Sequence, residues 1–158
     1  MNTVPLTYGP IARESIYVAL AKQLQTVMGF STFYRARVNL SNLNANLSPV
    51  GVLMQATSKP HYKEPMPTRY VDTCVFVCAV TQQSTDPSYV AATQLNNMRD
   101  LLDLALAPDE PDRSHCTLGG LIDYVRPTQD VYGETLEGSS WTHFGTTLEF
   151  RYTPINEV

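Results

Sequence analysis

The chain has 158 residues, 43% of them hydrophobic and 16% charged, enough for one domain that buries roughly 70% of its unfolded surface. That balance excludes wholesale disorder. The net charge of -4, with 11 Lys and Arg scattered along the chain against 15 Asp and Glu, excludes the basic stripe of a free-standing nucleic-acid binder.

Residues 11–28, IARESIYVALAKQLQTVM, predict a helix after Pro10. Ile16, Leu20, Leu24 and Val27 recur on one face at spacings of four, four and three, and Gly29 supplies the stop. STFYRARVNL (31–40) predicts a strand, with Phe33, Arg35 and Arg37 on one side and Tyr34, Ala36 and Val38 on the other. The Asn- and Ser-rich SNLNANLSP (41–49) predicts an exposed connection. A short strand is expected over VGVLMQA (50–56), followed by a long hairpin loop over TSKPHYKEPMPT (57–68), whose three prolines speak against a regular element.

RYVDTCVFVCAV (69–80) is the strongest strand signal. Its unbroken apolar run from Cys74 to Val80 predicts a central strand covered on both faces, or covered on one by a neighbouring subunit. Asp86-Pro87 predicts the start of a second helix, as N-cap and first-turn proline. Its apolar stripe is Ala91, Leu95, Met98, Leu102 and Ala105, while Asn96, Asn97, Arg99, Asp100 and Asp103 fall mostly on the wet side. PDEPDRSH (108–115) predicts a polar acidic loop. LIDYV (121–125) and WTHFGTTLEFRY (141–152) predict the last strands, the latter with Phe144, Leu148, Phe150 and Tyr152 on one face and His143, Glu149 and Arg151 on the other. Helix, strands, helix, strands is the order of a single α+β domain. Two helices pack on one face of a four- to five-stranded mixed or antiparallel sheet, with a core over about 11–152 and short flexible ends.

Candidate chemistry is sparse. TLGG (117–120) is no phosphate loop, because a strand-like segment and not a helix follows it; Gly119 and Gly120 are expected to make a structural turn. His115 and Cys116 are sequence neighbours and point to opposite sides, which speaks against a nucleophile and its base. Cys74 and Cys78, four residues apart on a strand, lie about 13 Å apart at about 3.3 Å per residue and cannot share one zinc. Asp109, Glu110 and Asp112 around Pro111 match no EF-hand spacing. No catalytic, cofactor or metal residues are expected. An odd cysteine count of three and an N-terminus, MNTVPLTYGP, without signal-peptide features predict reduced thiols in a cytosolic setting. No stretch reaches the roughly 20 apolar residues of a membrane span, so no membrane partner is expected.

Taken in order, several marks are similar to those of the tail terminator (tail completion) proteins of long-tailed bacteriophages. They are the opening helix ending near MGF, the arginines after it, SPVGVLMQAT, the Pro-rich loop and CVFVCAV. A helix ending DLALAPDE, then TLGGLIDYVR and a closing GTTLEFRY complete the series, over roughly residues 11–152. The Asn-rich NLNANL departs from the pattern. The resemblance implies a virion protein of the tail or neck, assembled in the bacterial cytoplasm, with no enzymatic activity and no cofactor. It implies a homo-oligomeric, six-fold ring that caps the tail tube, stops polymerisation of the tube protein and meets the head-side connector or neck protein. DNA would pass through its lumen without specific binding. Two alternatives stand beside it: another neck or minor tail protein of similar topology, and a small cytosolic α+β enzyme or ligand-binding module centred on Cys116.

The loop Thr57–Thr68 is the expected assembly contact. A connecting hairpin needs only about two to five residues. Pro60, Pro65 and Pro67 restrain the unbound loop and lower the entropy lost on docking. Tyr62 and Met66 offer apolar contact, and Lys59, His61, Lys63 and Glu64 polar or charged contact.

Overall fold

The computed structural model describes residues 10–61, 69–81, 91–133 and 141–153. Helix α1 (Pro10–Met28) leads into a short strand β1 (Thr32–Tyr34) and two 3-10 turns, Leu40–Asn42 and Ala45–Leu47. Then come β2 (Val50–His61), β3 (Arg69–Thr81), helix α2 (Ala91–Ala105), β4 (Tyr124–Gly133) and β5 (Trp141–Tyr152). The strands form one five-stranded mixed sheet in the order β1-β2-β3-β5-β4. β1 runs parallel to β2, and every other pairing is antiparallel. The expected α+β domain, with both helices on one side of the sheet, is the architecture found.

The α1 stripe does what its spacing predicts. Ile16, Leu20 and Leu24 are buried, Val27 packs at the margin, and Tyr17, Ala21 and Met28 join them. Each fully buried Leu contributes about 1.5–3 kcal/mol from its apolar surface. Gly29 then takes φ +70° and donates its backbone N–H to the carbonyl of Gln25, closing the helix. From α2, Leu95, Met98, Leu102 and Ala105 enter the same core. The predicted Asp86-Pro87 start lies outside the described residues.

On the sheet, the pleat sends Cys74, Phe76, Cys78 and Val80 of β3 to the helices, together with Phe144, Leu148, Phe150 and Tyr152 of β5. The intervening β3 residues face the other way. Ala79 and Val77 there join Val50, Val52 and Trp141 in a second, smaller core. What covers that core is the Asn-rich connection: Leu40, Leu43 and Leu47, with Tyr34 and Val38, pack on the back of the sheet.

Four expectations are corrected. The predicted strand over 31–40 is paired only at Thr32–Tyr34, because the chain then turns across the back of the sheet; Phe33 packs on the helix-side core and Tyr34 and Val38 on the back, while Arg35, Ala36 and Arg37 are exposed outside the strand. The connection at 41–49 is a hydrophobic cover and not a purely exposed loop, since Leu43 and Leu47, with Leu40 just before them, find apolar partners. The short strand 50–56 extends to His61, so residues 57–61 of the predicted loop are strand, paired with Arg69–Thr73. Pro60 is tolerated there because β1 covers only Val50–Val52, leaving that side of β2 an open edge. Finally, residues 121–123 of the predicted strand LIDYV belong to a turn, and β4 begins at Tyr124 and runs through Pro127 to Gly133 along the other edge, with a bulge at Pro127/Gln129.

Candidate functional site

The predicted assembly residues part company. Lys59 is exposed near the end of β2, and the backbone of His61 is the last to pair, opposite Arg69. Tyr62, Lys63, Glu64 and Met66 lie outside the described residues. The structure therefore shows where this segment is rooted: at the end of the sheet where β2 leaves and β3 enters.

A polar cluster sits under that end on the helix side. Asp72 is 2% exposed. Its Oδ1 accepts from Ser58 Oγ at 2.6 Å and its Oδ2 from the Tyr152 hydroxyl at 3.1 Å. Arg13 approaches the same Oδ2 at 3.5 Å, donates to the Tyr152 oxygen, and lies over the rings of Tyr70 and Tyr152 at 5.3 and 5.5 Å. Burial raises the Tyr152 pKa and Asp72 adds to the rise, while Arg13 opposes it. α1, β2, β3 and β5 are thus tied together at the end of the sheet where β2 leaves and β3 enters. Sequence reasoning missed this cluster; the only signal was an acid, Asp72, set inside a strand at helix-facing parity.

The turn predicted at Gly119 and Gly120 is present, with φ of +72° and +91°, preceded by Leu118 at +50°. Asp109, from the acidic loop, holds it. One carboxylate oxygen accepts from the Thr117 backbone N–H at 2.8 Å, the other from Gly119 N–H at 2.8 Å, and the Thr117 hydroxyl adds 3.0 Å. Burial pushes the Asp109 carboxyl up, but the hydrogen bonds from Gly119 and Thr117 prevail and hold it below the usual carboxylate range.

Cys116 adjoins this turn and is 1% exposed. Burial raises its thiol pKa; a backbone hydrogen bond at Leu118 opposes the rise, and the Asp109 carboxylate at 4.0 Å adds to it. The His115 ring instead meets Ser114 Oγ at 2.9 Å and lies 6.0 Å from the Tyr124 ring. The geometry does not activate this thiol. Cys74 and Cys78 are wholly buried, their thiols pushed up to about 12 by desolvation. Among the described residues, no three His, Cys, Asp or Glu side chains gather so as to hold a metal ion, and no helix is long and apolar enough to cross a membrane.

On the back of the sheet, the second core ends near Met54 and Val77. Beyond it, Val71 and Val75 are half-buried and belong to neither core. Arginines surround them, held by two carboxylates. Asp123 accepts from Arg151 at 2.9 Å and Arg69 at 3.4 Å, and Glu149 from Arg126 at 2.8 Å and Tyr124 at 3.0 Å. Arg126 and Arg151 both lie over the Tyr124 ring, at 4.8 and 5.4 Å. No protein-family model matches the chain, and no curated protein matches it.

Proposed function

We propose that the chain is the subunit of a ring that caps a phage tail tube, stops tube polymerisation and presents a face to the head-side neck. The resemblance of its ordered sequence marks to tail terminators motivates this reading. The observation that carries it furthest is the back of the sheet: one half has its own lid of leucines, while the half-buried Val71 and Val75 on the other half join neither core among the described residues. A chain that completes its burial against other subunits has this form.

The mechanism is geometric. A terminating subunit reproduces enough of the tube's interface to dock on the last ring, yet offers the next tube ring no matching face. Head-to-tail contacts close into a ring when the rotation between neighbours is right. A chain of net charge -4 suits a lumen through which DNA slides, because phosphate is held chiefly by Lys and Arg.

Negative-stain microscopy of the purified protein mixed with tail tubes tests this reading. Toroidal caps at tube ends, with tubes of fixed length, are the expected result. Tubes that keep growing in the presence of the protein, with no cap, overturn it. The Cys116-centred alternative would instead require an activity abolished by alkylating a thiol that the fold buries.

A further inference from the structure

We propose that neighbouring copies of this chain associate head to tail, the acidic outer face of α2 and its following loop docking on the back of the sheet beyond the leucine lid. The proposal deepens the ring reading and rests on it for the biological setting. Its physical basis is an opposition of charge between two separate surfaces of one molecule, each with an apolar centre.

Beyond the leucine lid, the sheet face has an apolar centre, the half-buried Val71 and Val75, bordered by Thr73 and Thr147 on the same parity. Around it stand four cations, Lys59, Arg69, Arg126 and Arg151, against two carboxylates, Asp123 and Glu149. This patch is positive on a chain that is negative as a whole. Lys59 is exposed and has no ion-pair partner among the described residues.

The opposite surface is the reverse. Leu104 projects from α2 with 64% of its surface exposed, the largest such exposure among the described large hydrophobics. Asp100, one turn before it, is exposed, and Asp103 beside it is 63% exposed. Glu110, paired with the exposed Arg113 at 3.6 Å, and Asp112 continue this surface into the loop, and Asp100 and Asp112 have no ion-pair partner among the described residues. Arg99 is already engaged by Asp103 at 2.5 Å and Asp130 at 2.7 Å. An acid-flanked leucine thus faces outward on one surface, and a cation-rimmed valine patch on the other. An apolar centre with a charged rim is the anatomy of a specific interface. The two surfaces differ from one another, so the contact is heterologous, the type that generates rings.

Sedimentation velocity of the full chain, over a concentration series at low and high salt, tests the contact. The wild type is expected to associate at low salt and to weaken by roughly tenfold at about 0.5 M NaCl, as rim charges are screened. Two variants remove one surface each: Leu104→Asp, at an exposed position, and the pair Lys59→Gln with Arg126→Gln. Each is expected to stay folded by circular dichroism and to remain monomeric. Mixed one to one, they should form a dimer and stop there, because one copy keeps a sound helix face and the other a sound sheet face. Variants that associate like the wild type, or a mixture that stays monomeric, overturn the proposal while leaving the ring reading to the microscopy of capped tubes. A wild type that is monomeric throughout the series also overturns it. So does binding of a short DNA duplex that is lost in the Lys59/Arg126 variant but indifferent to Leu104→Asp, since the sheet face would then take a polyanion.

Discussion

The Tyr152 hydroxyl donates a 3.1 Å hydrogen bond to Oδ2 of Asp72, joining residues 80 positions apart inside the helix-side core. Asp72 also accepts from Ser58 and pairs with Arg13, so removing the carboxylate leaves several donors without their acceptor. Asp72→Ala is expected to cost about 2–4 kcal/mol, and Tyr152→Phe about 1–2 kcal/mol. Because the two share one network, the double variant should lose less than the sum of the singles, by about 0.5 kcal/mol or more. Urea denaturation of the four proteins measures this, and strict additivity would show that the bond is not a stabilising link.

Asp109 and the TLGG turn predict an acid dependence. The folded-state pKa of Asp109 lies below its ordinary value, so the unfolded chain binds this proton more readily. Stability from the carboxylate is therefore complete above the ordinary carboxyl range and is lost as pH falls through the depressed folded value, below about 4. Asp109→Ala should cost about 1 kcal/mol at neutral pH, given the solvent exposure of the site. That difference from wild type should shrink below about pH 4. A gap between the two proteins that stays constant down to the lowest pH at which both fold would remove the turn's carboxylate from the account.

Gly51 has a steric role that follows from the parallel pairing of β1 with β2. It lies opposite Phe33 in register, and a Cβ there would stand 2.7 Å from the Phe33 ring and 3.0 Å from Phe30. Both rings pack near Phe76, at 6.5 and 5.7 Å between centroids, which leaves them little room to retreat. Gly51→Ala is expected to destabilise by about 1–3 kcal/mol through overpacking. Gly145, in the same sheet, would place its Cβ 3.8 Å from Val77, an ordinary contact, so Gly145→Ala should be much milder. Thermal melts of the two variants compare them directly, and equal costs would refute the steric explanation.

The helices and the central strands were legible because their periodicity and their burial have one cause. Ile16, Leu20 and Leu24 on α1, and the apolar parity of β5, repeat at the spacing their backbone dictates. β3 was legible as doubly covered, yet its covers differ: helices on one side, and on the other a lid of Leu40, Leu43 and Leu47. Asparagines surround the leucines of that lid and give the segment a polar pattern, and only tertiary contact reveals which residues of a polar segment are buried. Pro60 hid the outer part of β2, since proline is excluded from a central strand but tolerated on an open edge. The Asp72 cluster was out of reach, because a hydrogen bond across 80 residues leaves no local pattern. Of the proposed assembly site, the sequence showed the residue types at Lys59 and His61, and the fold supplied the cation-rimmed valine patch that no single segment contains.

The corrected strand boundary sharpens the test of the Pro-rich segment. Removing all of Thr57–Thr68 would strip five paired residues from β2 and, with Ser58, a hydrogen-bond donor to Asp72. The informative deletion spares His61 and Arg69. These two face one another in register, and antiparallel strands in that relation are joined well by a two-residue Asn-Gly turn. Replacing residues 62–68 by Asn-Gly takes away Tyr62, Lys63, Glu64 and Met66 while leaving both strands and the polar cluster intact. Loop-closure entropy changes slowly with length and favours the shorter connection, so the melting temperature should stay near native or rise slightly. The ability to cap tubes should fall to background if those four residues meet the tube or a neighbouring subunit. A protein that folds and caps tubes normally shows that the segment is only a connection. Restoring capping by returning Tyr62 and Met66 within a turn of native length would identify the apolar pair as the contact.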